Sequence, residues 1–294
     1  MNTIYKILFI SLSAFLILSC EDQIDVDSGF EGPRLVVDAW ITNEAGTQTI
    51  TITESQDFFD NRLPTPITDA TVVVSSGITD FIFESQNNGD YTYQVPADYL
   101  LGNDGDEFTL TVVNGNDEYQ ATTSLQNTAP IDSIRIYEED EAFGAEDGLY
   151  SELYARDLPG KGNTYWVKSF RNDTLLNRPQ ELNVVYDATF DSGNDIDGIY
   201  FIRPLRFAIN ALDDDGVPRA LNIGDKVTCE VHSISLEAFR FLKIVQEQTT
   251  NGDNTIFALP IANAVSNVVN TATGERALGF FNVAEVSRMS RVVE

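Results

Sequence analysis

Histidine, cysteine, methionine and tryptophan are scarce: the 294 residues hold one histidine and two each of the other three. A single histidine, His232, excludes chemistry that needs paired imidazoles. Its parity with Thr228 and Glu230 in "KVTCEVHSI" places it on the solvent face of a strand. Cys229 lies on the opposite parity with Val227 and Val231 and reads as a small core residue, not a reactive thiol. Basic residues are also few, 18 against 46 acids, for a net charge of −28. Arg62 is the only basic side chain between residues 35 and 134. Such a surface repels nucleic acid, which is excluded as a partner. The sequence has no G-x-S-x-G elbow, H-E-x-x-H, Walker loop or C-x-x-C. "GKGN" at 160–163 is a turn, because no helix follows to hold a phosphate. A glycosidase built only from two carboxylates stays open as an alternative, although 46 acids give such a pair no specificity.

No apolar run reaches the roughly 20 residues needed to span a bilayer as a helix. The one at the start, Ile7 to Leu18 behind Lys6, fits a secretory signal over residues 1–19. Ile17, Leu18 and Ser19 ahead of Cys20 resemble a bacterial lipobox. That resemblance implies cleavage before Cys20 and its lipidation. One acyl chain holds a protein only marginally, whereas several, at about 0.8 kcal/mol per buried methylene, hold it durably. With Cys20 acylated, Cys229 has no disulfide partner. Residues 20–33, including "CEDQIDVDSGFEG", contain too little apolar surface to fold alone and read as an acidic tether.

The remainder is mainly β. "RLVVDAWIT", "QTITIT", "ATVVVSS", "TDFIFES", "DYTYQV", "EFTLTVV" and "EYQATTSL" give seven short strands within residues 34–127, separated by Gly, Asn and Asp turns. That spacing predicts an immunoglobulin-like β-sandwich. "PITDATVVV" and "GDYTYQVP" also resemble small transthyretin-like sandwich domains. Pro130 marks a boundary, and residues 128–294 read as a second β-rich domain, with "IYFIRPLRFAI" among its strands. One amphipathic helix is expected over 235–250, with Ser235 as N-cap and Ala238, Phe241, Leu242 and Val245 inward, Phe239 at the margin. "GFFNVAEVSRMSRVV" returns to strand alternation.

The order of these blocks, from "CEDQIDVD" through "SQDFFDNRLPTPITDATVVV" to "GDKVTCEVHSISLEAFRFLKIVQEQ" and "GERALGFFNVAEVSR", resembles a Bacteroidota lipoprotein family, domain of unknown function 4249. Its members often accompany TonB-dependent outer-membrane transporters. The resemblance implies an accessory or ligand-binding role beside such a β-barrel. Acids directly after the lipidated cysteine, here Glu21 and Asp22, resemble this phylum's signal for display on the cell exterior. "DSI" at 132–134 and "DTL" at 173–175 resemble its O-glycosylation sequon.

Two further features invite a site. Asp191, Asn194, Asp195 and Asp197 in one loop, and Asp213, Asp214 and Asp215 in another, are hard oxygen donors beside glycines, as calcium requires. Neither loop follows the EF-hand pattern, and a plain Asp-Gly turn is the favoured reading of each. Phe58 and Phe59 stand among polar residues ahead of two prolines, either as interface aromatics or as pins holding their loop to the core. The expectation is therefore a non-catalytic, lipid-anchored accessory of a transporter. An independent surface binder of glycan or protein, calcium-assisted, is the alternative.

Overall fold

The computed structural model describes residues 32–57, 60–140, 144, 146–191, 196–250 and 264–294. Cys20, Glu21, Asp22, Phe58, Phe59, Asn194 and Asp195 lie outside the described residues.

All seven expected N-terminal strands form: β1 (Leu35–Thr42), β2 (Gly46–Glu54), β3 (Thr71–Ser75), β4 (Asp80–Ser85), β5 (Asp90–Val95), β6 (Glu107–Asn114) and β7 (Asp117–Ser124). Alternation sets their faces. Phe108, Leu110 and Val112 of β6 are fully buried while Thr109 and Thr111 are not. β4 pairs with β3 along Asp80–Phe83 and with β5 through Glu84 and Ser85, so one strand joins both layers of a folded-over sheet. The core lies between those layers, with Val37, Ile52 and Tyr91 from one and Phe81, Leu110 and Val112 from the other.

The second unit comprises β8 (Ile131–Glu139), β9 (Gly148–Ala155), β10 (Thr164–Arg171), β11 (Thr174–Leu175), β12 (Asn183–Tyr186), helix α1 (Arg203–Phe207), β13 (Lys226–Ser233) and helix α2 (Leu236–Thr250). Three C-terminal strands follow: β14 (Val269–Asn270), β15 (Leu278–Ala284) and β16 (Val286–Val292). β10, β13 and β16 form an antiparallel sheet extended by β11 and β12. It packs on the β8–β9 hairpin and α1 through Ile134, Leu153, Val167, Leu205, Cys229 and Val231.

The expected division at residue 127 fails at the C-terminus. β15 pairs in parallel with β1 over seven residues, Val36↔Leu278 to Thr42↔Ala284, and β14 pairs with β7. The nine-stranded sheet thus has these late strands at both ends. β1 offered an unpaired edge, and Phe281 and Val283 alternate into the same core as Ala39 and Ile41. Only Glu285 separates β15 from β16, and at that residue the chain passes from one sheet to the other.

"IYFIRPLRFAI" is not a strand but carries α1. Pro204 has no N–H for a ladder yet fits the first helical turn. α2 forms where expected, and Ser235 Oγ accepts the Ala238 N–H at 3.1 Å as its cap. Its buried residues are Ala238, Phe239 and Leu242, so Phe239 takes the place expected of Val245. The helix lies in a corner between two sheets and is covered on more than one side.

The β1–β15 pairing depends on Gly279. Its φ is +84°, and an added Cβ would stand 2.0 Å from the Val37 carbonyl oxygen. Gly279→Ala should therefore cost on the order of 2–4 kcal/mol in chemical denaturation. A loss below about 0.5 kcal/mol, the scale of an unremarkable surface change, would refute this register.

Candidate functional site

Among the described residues, the one cysteine and the one histidine are held inside the fold. Cys229 is fully buried, and burial pushes its thiol up to about 12. His232 does not face solvent as its parity suggested. It is 5 % exposed, because the outer face of the β10–β13–β16 sheet packs against the outer face of β1 and β15. Trp166 lies opposite His232 in register, and the His232 Nε2 is 2.8 Å from Glu230 Oε2. Burial holds the imidazole down at about 4, against the pull of Glu230.

Both tryptophans meet at this junction, ring centroids 5.1 Å apart and edge to face. Phe280 stacks on Trp40 at 5.6 Å, and Phe241 of α2 closes on Phe280 at 5.0 Å. Lys168 Nζ stands 4.1 Å from the Trp166 ring. Arg288 bridges the two sheets, with Nε on Glu230 Oε1 at 2.7 Å and Nη2 on Glu44 Oε2 at 3.1 Å. Although burial works to raise it, bonds from His232 and Arg288 hold the Glu230 carboxyl down at about 2. These contacts satisfy one another and serve as a structural joint.

The proposed calcium ligands do not converge among the described residues, where no group of three His, Cys, Asp or Glu is placed to hold a metal. Asp213 Oδ1 accepts the N–H groups of Asp215 and Val217, both at 2.9 Å, closing a turn. Asp214 pairs with Arg178 at 2.9 Å. Asp197 caps the Gly160 N–H at 2.9 Å, and Asp191 is in the described chain nearby. Two buried acids missed in the sequence brace that same loop. Asp187 accepts from Gly162 and Asn163, and Asp157 from Tyr165 and Gly198. The carboxylates of Asp157, Asp187, Asp197 and Asp213 are thus occupied in fixing backbone.

A different cluster has the form of a binding site. On the face of the β8–β9 hairpin turned away from its core, Arg135 pairs in register with Glu152, one step from Tyr154. α1 brings Arg203 and Arg206 over the same face. Together with Tyr137 they line a hollow of about 360 Å³. Glu152 forms its floor. Its Oε1 accepts from Tyr137 and from Arg203 Nε, both at 2.8 Å, while Arg206 Nη2 is 3.4 Å from Oε2. Burial tends to raise the Glu152 carboxyl, but the bonds from Arg203, Tyr137 and Tyr154 and the charge of Arg206 outweigh it and hold it low. Arg203 also bonds Glu139. Arg135 and Arg206 both stack on the Tyr154 ring, at 4.2 and 4.5 Å from its centroid.

A family model described as a domain of unknown function (DUF4249) matches residues 21–290. The chain belongs to that family. No curated protein matches this DUF4249 chain. Among solved structures, a crystal structure of bovine butyrophilin is similar to it at 10 % identity and a TM-score of 0.19, over 67 % of this chain and 87 % of the butyrophilin chain.

The joint gives this DUF4249 protein a pH dependence with a definite sign. In the unfolded chain His232 takes up a proton near the usual imidazole pKa of about 6.5. In the fold it stays neutral down to about 4, with Glu230, Lys168 and Arg288 around it and Asp38 and Glu44 on the facing sheet. The unfolded state thus binds more protons in that window. The His232 contribution to stability should therefore be full above about 6.5 and be lost as the pH drops toward 4, by on the order of 3 kcal/mol. Urea denaturation across this range should show the slope. His232→Gln, which keeps a donor for Glu230 and cannot titrate, should flatten it; an unchanged slope would place the proton uptake elsewhere.

Proposed function

We propose that this chain is a non-catalytic, lipid-anchored protein of the outer membrane. It serves as an accessory or ligand-binding partner of a TonB-dependent transporter and faces the cell exterior. The observation that carries the binding reading is the arginine and tyrosine hollow between β8, β9 and α1, a cationic concavity in a chain of net charge −28. Two placements support the absence of catalysis: His232 is buried against Trp166, and Cys229 is sealed in the second core. Anchoring rests on the apolar leader and the lipobox-like residues before Cys20. A tether from Cys20 to the start of β1 at Leu35 reaches at most roughly 50 Å, which keeps the sandwich close to the membrane and to any barrel beside it.

Affinity purification of the full chain from membranes solubilised in mild detergent should recover one β-barrel partner in near-stoichiometric amount. Recovery of the chain alone would overturn the accessory reading. Replacing Glu21 and Asp22 with alanine should change the protein on whole cells from protease-sensitive to protease-protected. Equal digestion of both forms would reduce those acids to tether.

A further inference from the structure

The hollow between β8, β9 and α1 has a charge balance that narrows its ligand. Arg135, Arg203 and Arg206 face Glu139 and Glu152, leaving one surplus positive charge. Arg203 is engaged with both acids. Arg135 has no carboxylate within 4 Å among the described residues, and its exposed guanidinium rests on Tyr154 with its donors unspent. Arg206 has only the 3.4 Å approach to Glu152, and its shielded Nε has no acceptor among the described residues. A shielded donor without an acceptor is costly, and a nearby anion compensates it electrostatically. A carboxylate offers about four acceptor sites, and Glu152 uses three of them on Tyr137, Arg203 and Tyr154 while Arg206 Nη2 only approaches Oε2 at 3.4 Å, so the carboxylate can take one further donor.

We propose that this hollow binds a monocarboxylate that carries a hydroxyl or amine beside its carboxylate. Arg135 grips the carboxylate with its planar fork and Arg206 adds charge from across the Tyr154 ring system. The Glu152 carboxylate accepts the bond from the neighbouring donor. The single surplus charge matches one carboxylate. A phosphate dianion would exceed it and would sit against Glu152. The Tyr137 ring lines the remainder, so the body of the acid can be apolar.

This assignment rests on the reading of the chain as a ligand binder but not on the transporter. Co-purification with a barrel can fail while the hollow still binds its acid, and the reverse, so the two results separate. The test is calorimetric titration of the detergent-solubilised full chain with mandelate. Inorganic phosphate and 1-phenyl-1,2-ethanediol, which lacks the carboxylate, serve as comparison ligands on the same unaltered protein. Mandelate should bind at one saturable site and more tightly than either. Arg135→Gln, at an exposed position, should weaken it about tenfold or more, the scale of one charge-assisted hydrogen bond. Arg156→Gln, which removes a cation stacked on Tyr200 outside the hollow, should change it less than about twofold. The proposal is overturned if no saturable binding is seen, if phosphate or the diol binds as well, or if the Arg135 and Arg156 variants weaken it equally.

Discussion

The parallel pairing of β15 with β1 is the constraint on which the other contacts depend. β1 is the central contributor of Val37, Ala39 and Ile41 to the sandwich core, and without β15 its outer edge would be an open row of backbone donors and acceptors. The strand that closes it lies near the other end of the chain, so the first sandwich is incomplete until almost all of the sequence is present. Contacts of such sequence separation are entropically expensive to form and slow to find. One residue later the chain is already in the second sheet. Glu285 holds that crossing, accepting the Thr128 N–H at 2.8 Å on its carboxylate while its backbone N–H meets Ser233 Oγ at 2.9 Å. Thr128 belongs to the crossing between β7 and β8 and donates to the Val231 carbonyl at 2.9 Å. These two crossings are therefore tied to each other.

The joint that results has an apolar half and an ionic half. Trp40, Trp166, Phe241 and Phe280 supply large buried faces in offset and edge contacts, which stabilise beyond their area. Beside them Arg288, Glu230, His232 and Glu44 form a chain of ion pairs and hydrogen bonds that crosses from β16 to the β1–β2 turn. The aromatic half contributes most of the stability, because half-buried ion pairs recover little more than their own desolvation. The ionic half instead penalises a slipped register, which would leave Glu230 and Lys168 without partners. Asn282 works in the same way, linking β15 to the start of α2 through Ser235 N–H at 3.1 Å.

What the sequence disclosed follows the range of the interactions. β1 to β7 were legible because alternation and Gly-Asn-Asp turns are local, and α2 was legible because its period and its Ser235 cap are local. Cys229 was placed correctly for the same reason. His232 was not, since parity tells which side of a strand a residue occupies and not whether that side is covered by another sheet. β15 was assigned to the wrong unit because its partner is fixed by an open edge far away in sequence. The arginine hollow left a faint trace. In "DSIRIYEED" and "YSELYAR" the charged and aromatic residues Arg135, Tyr137, Glu152 and Tyr154 all fall on one parity, but the register that sets them side by side, and the helix that adds Arg206, are tertiary facts.

Electrostatics then act on the hollow at two ranges. At long range the −28 charge of the chain repels any anion, so encounter is slowed and not steered. At short range the guanidinium groups on Tyr154 act over distances well inside the Debye length of about 8 Å at physiological salt. Added salt screens the first effect more than the second. An acidic ligand should consequently arrive faster as ionic strength rises toward the physiological range, the reverse of the behaviour of proteins whose binding face and net charge share one sign. Specificity in such a site comes from the fixed fork of Arg135 and the floor carboxylate of Glu152, because the overall field discriminates against every anion alike.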